Sequence, residues 1–189
     1  MQHELGFDGL LYIENLILIV RKYGDIIYLK IVFVLGGEFL NIKIIKGSFE
    51  HLKDCEEALL KSSLGYHYFQ SEGSARKAIE EGLDQGNLFV ALAEDVCTGF
   101  LFYITNGAFH SFPYLHLIAV KEEYRGKGIG KQLVEYFEEI SDKDKFFLAV
   151  ADYNPNAKRF YESIGYRQVG EIPGLYREGI TEYIMMKGK

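Results

Sequence analysis

Three glycines at alternate positions, Gly126, Gly128 and Gly130, stand among Arg125, Lys127 and Lys131, directly after the apolar run Leu117-Ile118-Ala119-Val120. Without side chains at those positions, neighbouring backbone N–H groups can converge on one anion. The helix predicted to begin there adds unpaired donors and the positive end of its macrodipole. The three cations point the same way, so the chemistry this turn fits is the binding of a diphosphate; a tight strand-to-helix turn without a ligand is the other reading. Spacing excludes two phosphate loops. A P-loop counted from Gly126 needs glycine where Lys131 stands, and Gln132 follows it. A dinucleotide fingerprint from Gly128 needs glycine where Leu133 stands.

Two further residues are suited to moving protons. His116 precedes the apolar run, and strand alternation puts Tyr114, His116, Ile118 and Val120 on one face. An imidazole of ordinary pKa, ~6.5, accepts protons near neutrality, although a histidine on an apolar strand also serves as a packed residue. Tyr161 shares a helical stripe with Ala157, Phe160 and Ile164. It reads either as a core tyrosine or as a phenol held in a site.

The elements that must position these groups follow from patterning. Residues 10–14, 16–21, 26–35 and 40–46 read as strands, with Gly24-Asp25 as a turn and Gly36-Gly37 as punctuation. Residues 49–60, behind Ser48, and 74–83 read as helices; 88–93 and 96–105 read as a hairpin around Glu94-Asp95. Strand 115–120 leads to an amphipathic helix over 126–140, then strand 146–151. A helix over 154–164 follows, with Asn154 as cap, Pro155 at its first position and Gly165 as its stop. Strands 166–171 and 181–186 close the chain. This order predicts an α/β domain over residues 40–189 with a mixed sheet, preceded by a β-rich extension over 1–39.

With 189 residues, 48% of them apolar and 25% charged, the chain has the balance of a globular protein rather than of a disordered chain, a collagen or a coiled coil. The formal charge of −6 disfavours a nucleic-acid partner. No apolar run approaches the ~20 residues of a membrane span, and no basic, then apolar, leader opens the chain. Cys55 and Cys97 suggest two reduced buried thiols in a cytoplasmic protein, not a metal site or a disulfide framework.

Arg125-Gly126-Lys127-Gly128-Ile129-Gly130 resembles the Arg/Gln-x-x-Gly-x-Gly/Ala signature of the GNAT N-acetyltransferase superfamily. The stretch from Asn154 to Tyr166 resembles that superfamily's Asn-x-x-Ala-x-x-Phe-Tyr-x-x-x-Gly-Phe/Tyr run. The resemblance covers about residues 40–187. It implies a mostly antiparallel central sheet flanked by helices and acetyl-CoA as cosubstrate, without a metal. It places the pyrophosphate on Arg125, Gly126, Lys127, Gly128, Ile129, Gly130 and Lys131. It brings Ile118, Ala119, Val120, Asn154, Ala157 and Phe160 to the cofactor, with 117–120 and 147–151 flanking the pantetheine arm. It makes Tyr161 the acid at the CoA sulfur and a backbone N–H near Ile118 the oxyanion donor. The stretch around His116 is similar to a strand of arylalkylamine N-acetyltransferases, which makes His116 the base. The implied reaction is direct attack of a primary amine on acetyl-CoA in a ternary complex; a non-catalytic acyl-CoA-binding module is the alternative. Tyr66-His67-Tyr68-Phe69, with Phe109, His110 and Phe112, are expected either to line the site of a small-amine, peptide or protein acceptor or to be core. A homodimer is conceivable through exposed strand edges.

Overall fold

The computed structural model describes residues 41–189 with their side chains and, before them, the backbone of three strands. The chain divides into Met1–Phe39 and Leu40–Lys189. In the first unit β1 (Asp8–Ile13), β2 (Leu16–Tyr23) and β3 (Ile26–Phe33) form an antiparallel meander. Glu14, Gly24-Asp25, Val34, Leu35, Gly36-Gly37 and Leu40 lie outside the described residues.

The second unit runs β4 (Ile42–Lys46), α1 (Leu52–Leu60), α2 (Ser63–Tyr68), α3 (Ser74–Asp84), β5 (Leu88–Ala93), β6 (Val96–Ala108) and β7 (Phe112–Val120). It continues with α4 (Ile129–Ile140), β8 (Lys145–Ala151), α5 (Pro155–Ser163), β9 (Arg167–Pro173) and β10 (Thr181–Gly188). Its seven strands lie in the order β4-β5-β6-β7-β8-β10-β9, and every pair is antiparallel except β7 with β8. The sheet is mixed, as the order of elements predicted, and mostly antiparallel, as the family resemblance implied.

Alternation along the strands divides the core into two layers. Phe100 and Phe102 join α1 and α3 on one face, while Leu101 between them joins α4 and α5 on the other. On α4, Ile129, Leu133 and Phe137 recur at four-residue spacing and are at most 1% exposed. Burial of each such side chain contributes ~1.5–3 kcal/mol.

The clearest differences from expectation lie at α4, at α2 and in the hairpin of β6 and β7. Helix α4 starts at Ile129 rather than 126, because Gly126 (φ 76°) and Gly128 (φ 80°) take the left-handed conformation and hold the preceding turn out of the helix. Helix α2 has only six residues, too few to show a period. It is fixed by Ser62 Oγ, which accepts the Gly65 N–H at 3.0 Å, and by the missing Cβ of Gly65, which would collide with the Leu59 carbonyl. Strands β6 and β7 extend beyond 105 and before 115 to meet at a tip where Phe109 and His110 both have φ 54°.

Candidate active site

Strand β7 carries an irregularity that the sequence did not signal. Leu117 is opposite Phe102 and Leu115 opposite Tyr103, so His116 is an extra residue in the ladder with β6. Such a bulge turns two successive side chains to one side. Leu115 stays with the α4 layer, Leu117 and Ala119 enter the α1 layer, and Ile118 and Val120 return to the α4 layer. His116 stands edge-on to Phe102 of the α1 layer, with ring centroids 5.3 Å apart, and not on the face of Ile118 and Val120 that simple alternation gave it.

Beside the bulge the sheet opens. The parallel ladder of β7 and β8 comprises only Tyr114 with Phe147 and Leu115 with Leu148. Past these, β7 remains bonded to β6 as far as Val120, and β8 to β10 as far as Ala151. Backbone groups of the two strands therefore face each other unpaired across a cleft, which is costly in a buried place unless a ligand satisfies them.

A cavity of about 480 Å³ lies at the α4 end of this cleft. Of the residues expected at the cofactor, Ile118, Ala119, Val120, Arg125, Gly126 and Gly128 line it. Ile129, Gly130, Lys131, Asn154, Ala157 and Phe160 line it too. Lys127 does not; its ammonium lies 5.2 Å from the Tyr124 ring centroid. The N–H groups of residues 126–131 find no acceptor among the described residues, and the first helical bond is Gln132 N–H to Gly128 O at 3.1 Å. These free donors at a helix start fit a diphosphate. Arg125 does other work: its Nε and Nη2 donate to the carbonyls of Val120 (3.0 Å) and Lys61 (2.9 Å), tying the turn to the end of α1. Asn154 caps α5, accepting the Ala157 N–H at 3.1 Å.

A second cavity, of about 260 Å³, opens on the same cleft. Tyr161, Ile118, Asn154, Ala157 and Leu64 line both. Tyr161 is only 6% exposed, and burial raises its pKa well above the ordinary phenol value, so it remains a proton donor at any physiological pH. His116 lines the second cavity and not the first; loss of water around its ring lowers its pKa below 6.5, against a smaller opposing pull from Glu81. Around the walls stand Tyr68, Phe69, Tyr114, Tyr153 and Tyr176, with Glu182 among them. Among the described residues, no group of three or more His, Cys, Asp or Glu side chains could hold a metal.

The Acetyltransferase (GNAT) family model matches residues 50–166. The chain belongs to that family. Thialysine N-epsilon-acetyltransferase of Sus scrofa is 32% identical over 130 residues, covering 67% of this chain and 73% of the relative. A GNAT acetyltransferase structure from Bacillus cereus superposes with a TM-score of 0.66 at 24% identity, over 78% of this chain and 97% of that one. Arabidopsis thaliana Naa50 in complex with a CoA bisubstrate analogue superposes with a TM-score of 0.62 at 19% identity, over 79% of this chain and all of its own length (100%). The protein is thus an acyltransferase whose cosubstrate is acetyl-CoA.

The aromatic residues expected either at an acceptor site or in the core are divided. Tyr68 and Phe69 line the second cavity, whereas Tyr66 is 70% exposed and His67 stacks behind Tyr153 at 3.6 Å. Phe109 and Phe112 turn away to pack on Phe147, with centroids 5.3 and 5.6 Å apart, and with His110 they line neither cavity. Tyr153, Tyr176 and Glu182 were missed. The one available signal was an acid, Glu182, directly before the apolar run Tyr183-Ile184-Met185-Met186 of β10. Among the described residues no helix is long and apolar enough to cross a membrane, and Cys55 and Cys97 are buried free thiols.

Proposed function

We propose that the protein transfers an acetyl group from acetyl-CoA to a primary amine by direct attack in a ternary complex. The observation that carries this reading is the meeting of two cavities at Tyr161 and Ile118 beside the open ladder of β7 and β8. The glycine turn holds the diphosphate, and the cleft admits the pantetheine arm. His116, neutral at physiological pH, takes a proton from the amine directly or through water. The nitrogen lone pair then forms the C–N bond at the thioester carbon. The developing oxyanion meets a free β7 amide near Ile118. As the C–S bond breaks, the sulfur keeps the electron pair and takes the Tyr161 proton, and the Tyr161 phenolate takes, directly or through water, the second proton that the acylated nitrogen must lose to become an amide. The products are the N-acetyl amine and CoA thiol, with Tyr161 restored; His116 returns its proton to solvent.

The relatives' names suggest where the acceptor lies: one acts on thialysine, and one was captured with a bisubstrate analogue. The test is CoA release from acetyl-CoA across a panel of amines and N-terminal peptides, thialysine included. Tyr161→Phe is expected to lower turnover by about a hundredfold while the dissociation constant for CoA holds. CoA binding with no release for any amine would leave only the acyl-CoA-binding alternative.

A further inference from the structure

On β10, Tyr183 and Met185 pack with the α4 layer. Glu182, one residue earlier and opposite Ala151 of β8, belongs to the other face, where the second cavity lies. It is only 3% exposed. Its Oε1 accepts the Tyr68 hydroxyl at 2.5 Å, across 114 residues of sequence. Among the described residues no Lys, Arg or His forms an ion pair with it. Of the cavity's lining residues it is the one carboxylate, and no Lys or Arg accompanies it. Withdrawing a carboxylate from water costs several kcal/mol unless a cation compensates. The surrounding rings are suited to a cation as well. Tyr68 lies 6.1 Å from Tyr153 and 6.0 Å from Tyr176, and the hydroxyls of Tyr114 and Tyr176 are 3.3 Å apart. Tyrosine faces attract ammonium groups. Two things can remove that cost: a proton on Glu182, toward which burial pushes its pKa up, or a cationic ligand, which the tyrosine faces would also attract.

The reacting nitrogen is not that charge. It has to stand, neutral, at the cleft between β7 and β8, beside Tyr161. Glu182 sits one strand further on, with β8 intervening and the cleft between β8 and β7 beyond it, so its backbone and that of β7 are separated by more than two strand spacings, that is by more than roughly 10 Å. We propose that Glu182, framed by Tyr68, Tyr153 and Tyr176, binds a second, non-reacting ammonium group of the acceptor, so that the preferred substrates are diamine-like, with one nitrogen anchored and the other acetylated. This rests on the transferase reading above.

The experiment compares kcat/KM for the diamine cadaverine, the monoamine pentylamine and the amino alcohol of the same chain length, with acetyl-CoA as donor. The wild-type protein should prefer cadaverine over both others by roughly tenfold to a hundredfold, the range of a charged hydrogen bond. Glu182→Gln preserves shape and an acceptor for Tyr68, and should bring the cadaverine-to-pentylamine ratio close to one, mainly by raising KM for cadaverine. A ratio unchanged in Glu182→Gln, or an equal fall of kcat for both amines, overturns the assignment. If the variant does not fold, the wild-type comparison decides: the amino alcohol used as well as cadaverine also overturns it. CoA release with none of these amines or the wider panel would instead defeat the transferase reading itself.

Discussion

In the proposed mechanism Tyr161 and His116 serve as acid and base, and burial acts on both. It raises the phenol and lowers the imidazole, because in each case it disfavours the charged form. Tyr161 therefore keeps its proton and His116 stays neutral near neutrality, at some cost in the driving force for proton transfer. A pH profile should show it. Only neutral His116 accepts a proton, and its folded-state pKa lies below 6.5, so kcat/KM should hold from neutrality down past pH 6.5 and fall only at a more acid midpoint. His116→Gln should abolish that acidic limb and lower the plateau by about a hundredfold. A limb that persists in the variant would assign the base elsewhere. Arg125 shows a further role: within the glycine motif, its Nε and Nη2 are engaged by protein carbonyls and position the turn, while the residue also lines the larger cavity.

At the scale of elements, the strand–turn–helix from β7 to α4 makes a cradle because its glycines differ in role. Gly126 and Gly128 require the left-handed conformation, although a Cβ at either would meet nothing within 4 Å, so their constraint is conformational rather than steric. Gly130 has no positive φ, and a Cβ there would touch Phe160 Cζ at an ordinary 3.6 Å. Gly128→Ala should therefore cost about 1–2 kcal/mol in urea unfolding and weaken CoA binding in calorimetry as the free N–H groups re-aim. Gly130→Ala should leave unfolding stability essentially as it was. Equal effects of the two substitutions on stability would contradict this division. The bulge at His116 is the companion device: by disturbing β7 on its β6 side, it accompanies the early end of the ladder on its β8 side.

The acetyltransferase carries a net charge of −6, yet Arg125 and Lys131 line its larger cavity and a single carboxylate, Glu182, lines the smaller. Local fields, not the total, select ligands over such short distances. The cradle joins α4, α5 and β7, and the end of α1 is tied in through Arg125, so cofactor should brace elements from both layers of the core. CoA at ~100 times its dissociation constant should add ~2.7 kcal/mol to unfolding stability, read as a concentration-dependent rise in melting temperature. No rise at that dose would remove the ligand-binding reading of the glycine turn.

What the sequence determined by itself was local. The glycine turn, the Asn154 cap with Pro155, and the amphipathic stripe of α4 each reside in a dozen or fewer consecutive residues, whose dihedral preferences and spacing set the result regardless of distant partners. The order of strands and helices followed from the same periodicities, apart from α2, too short to show one, and the start of α4, which the left-handed glycines delayed. The tertiary structure decided what lies between: the cleft of β7 and β8, the displaced face of His116, and the union of Tyr68, Tyr153, Tyr176 and Glu182 in one cavity. These residues come from α2, two loops and the last strand. They meet only when a sheet of fixed order is assembled, and pairings between distant segments leave no periodicity within either one.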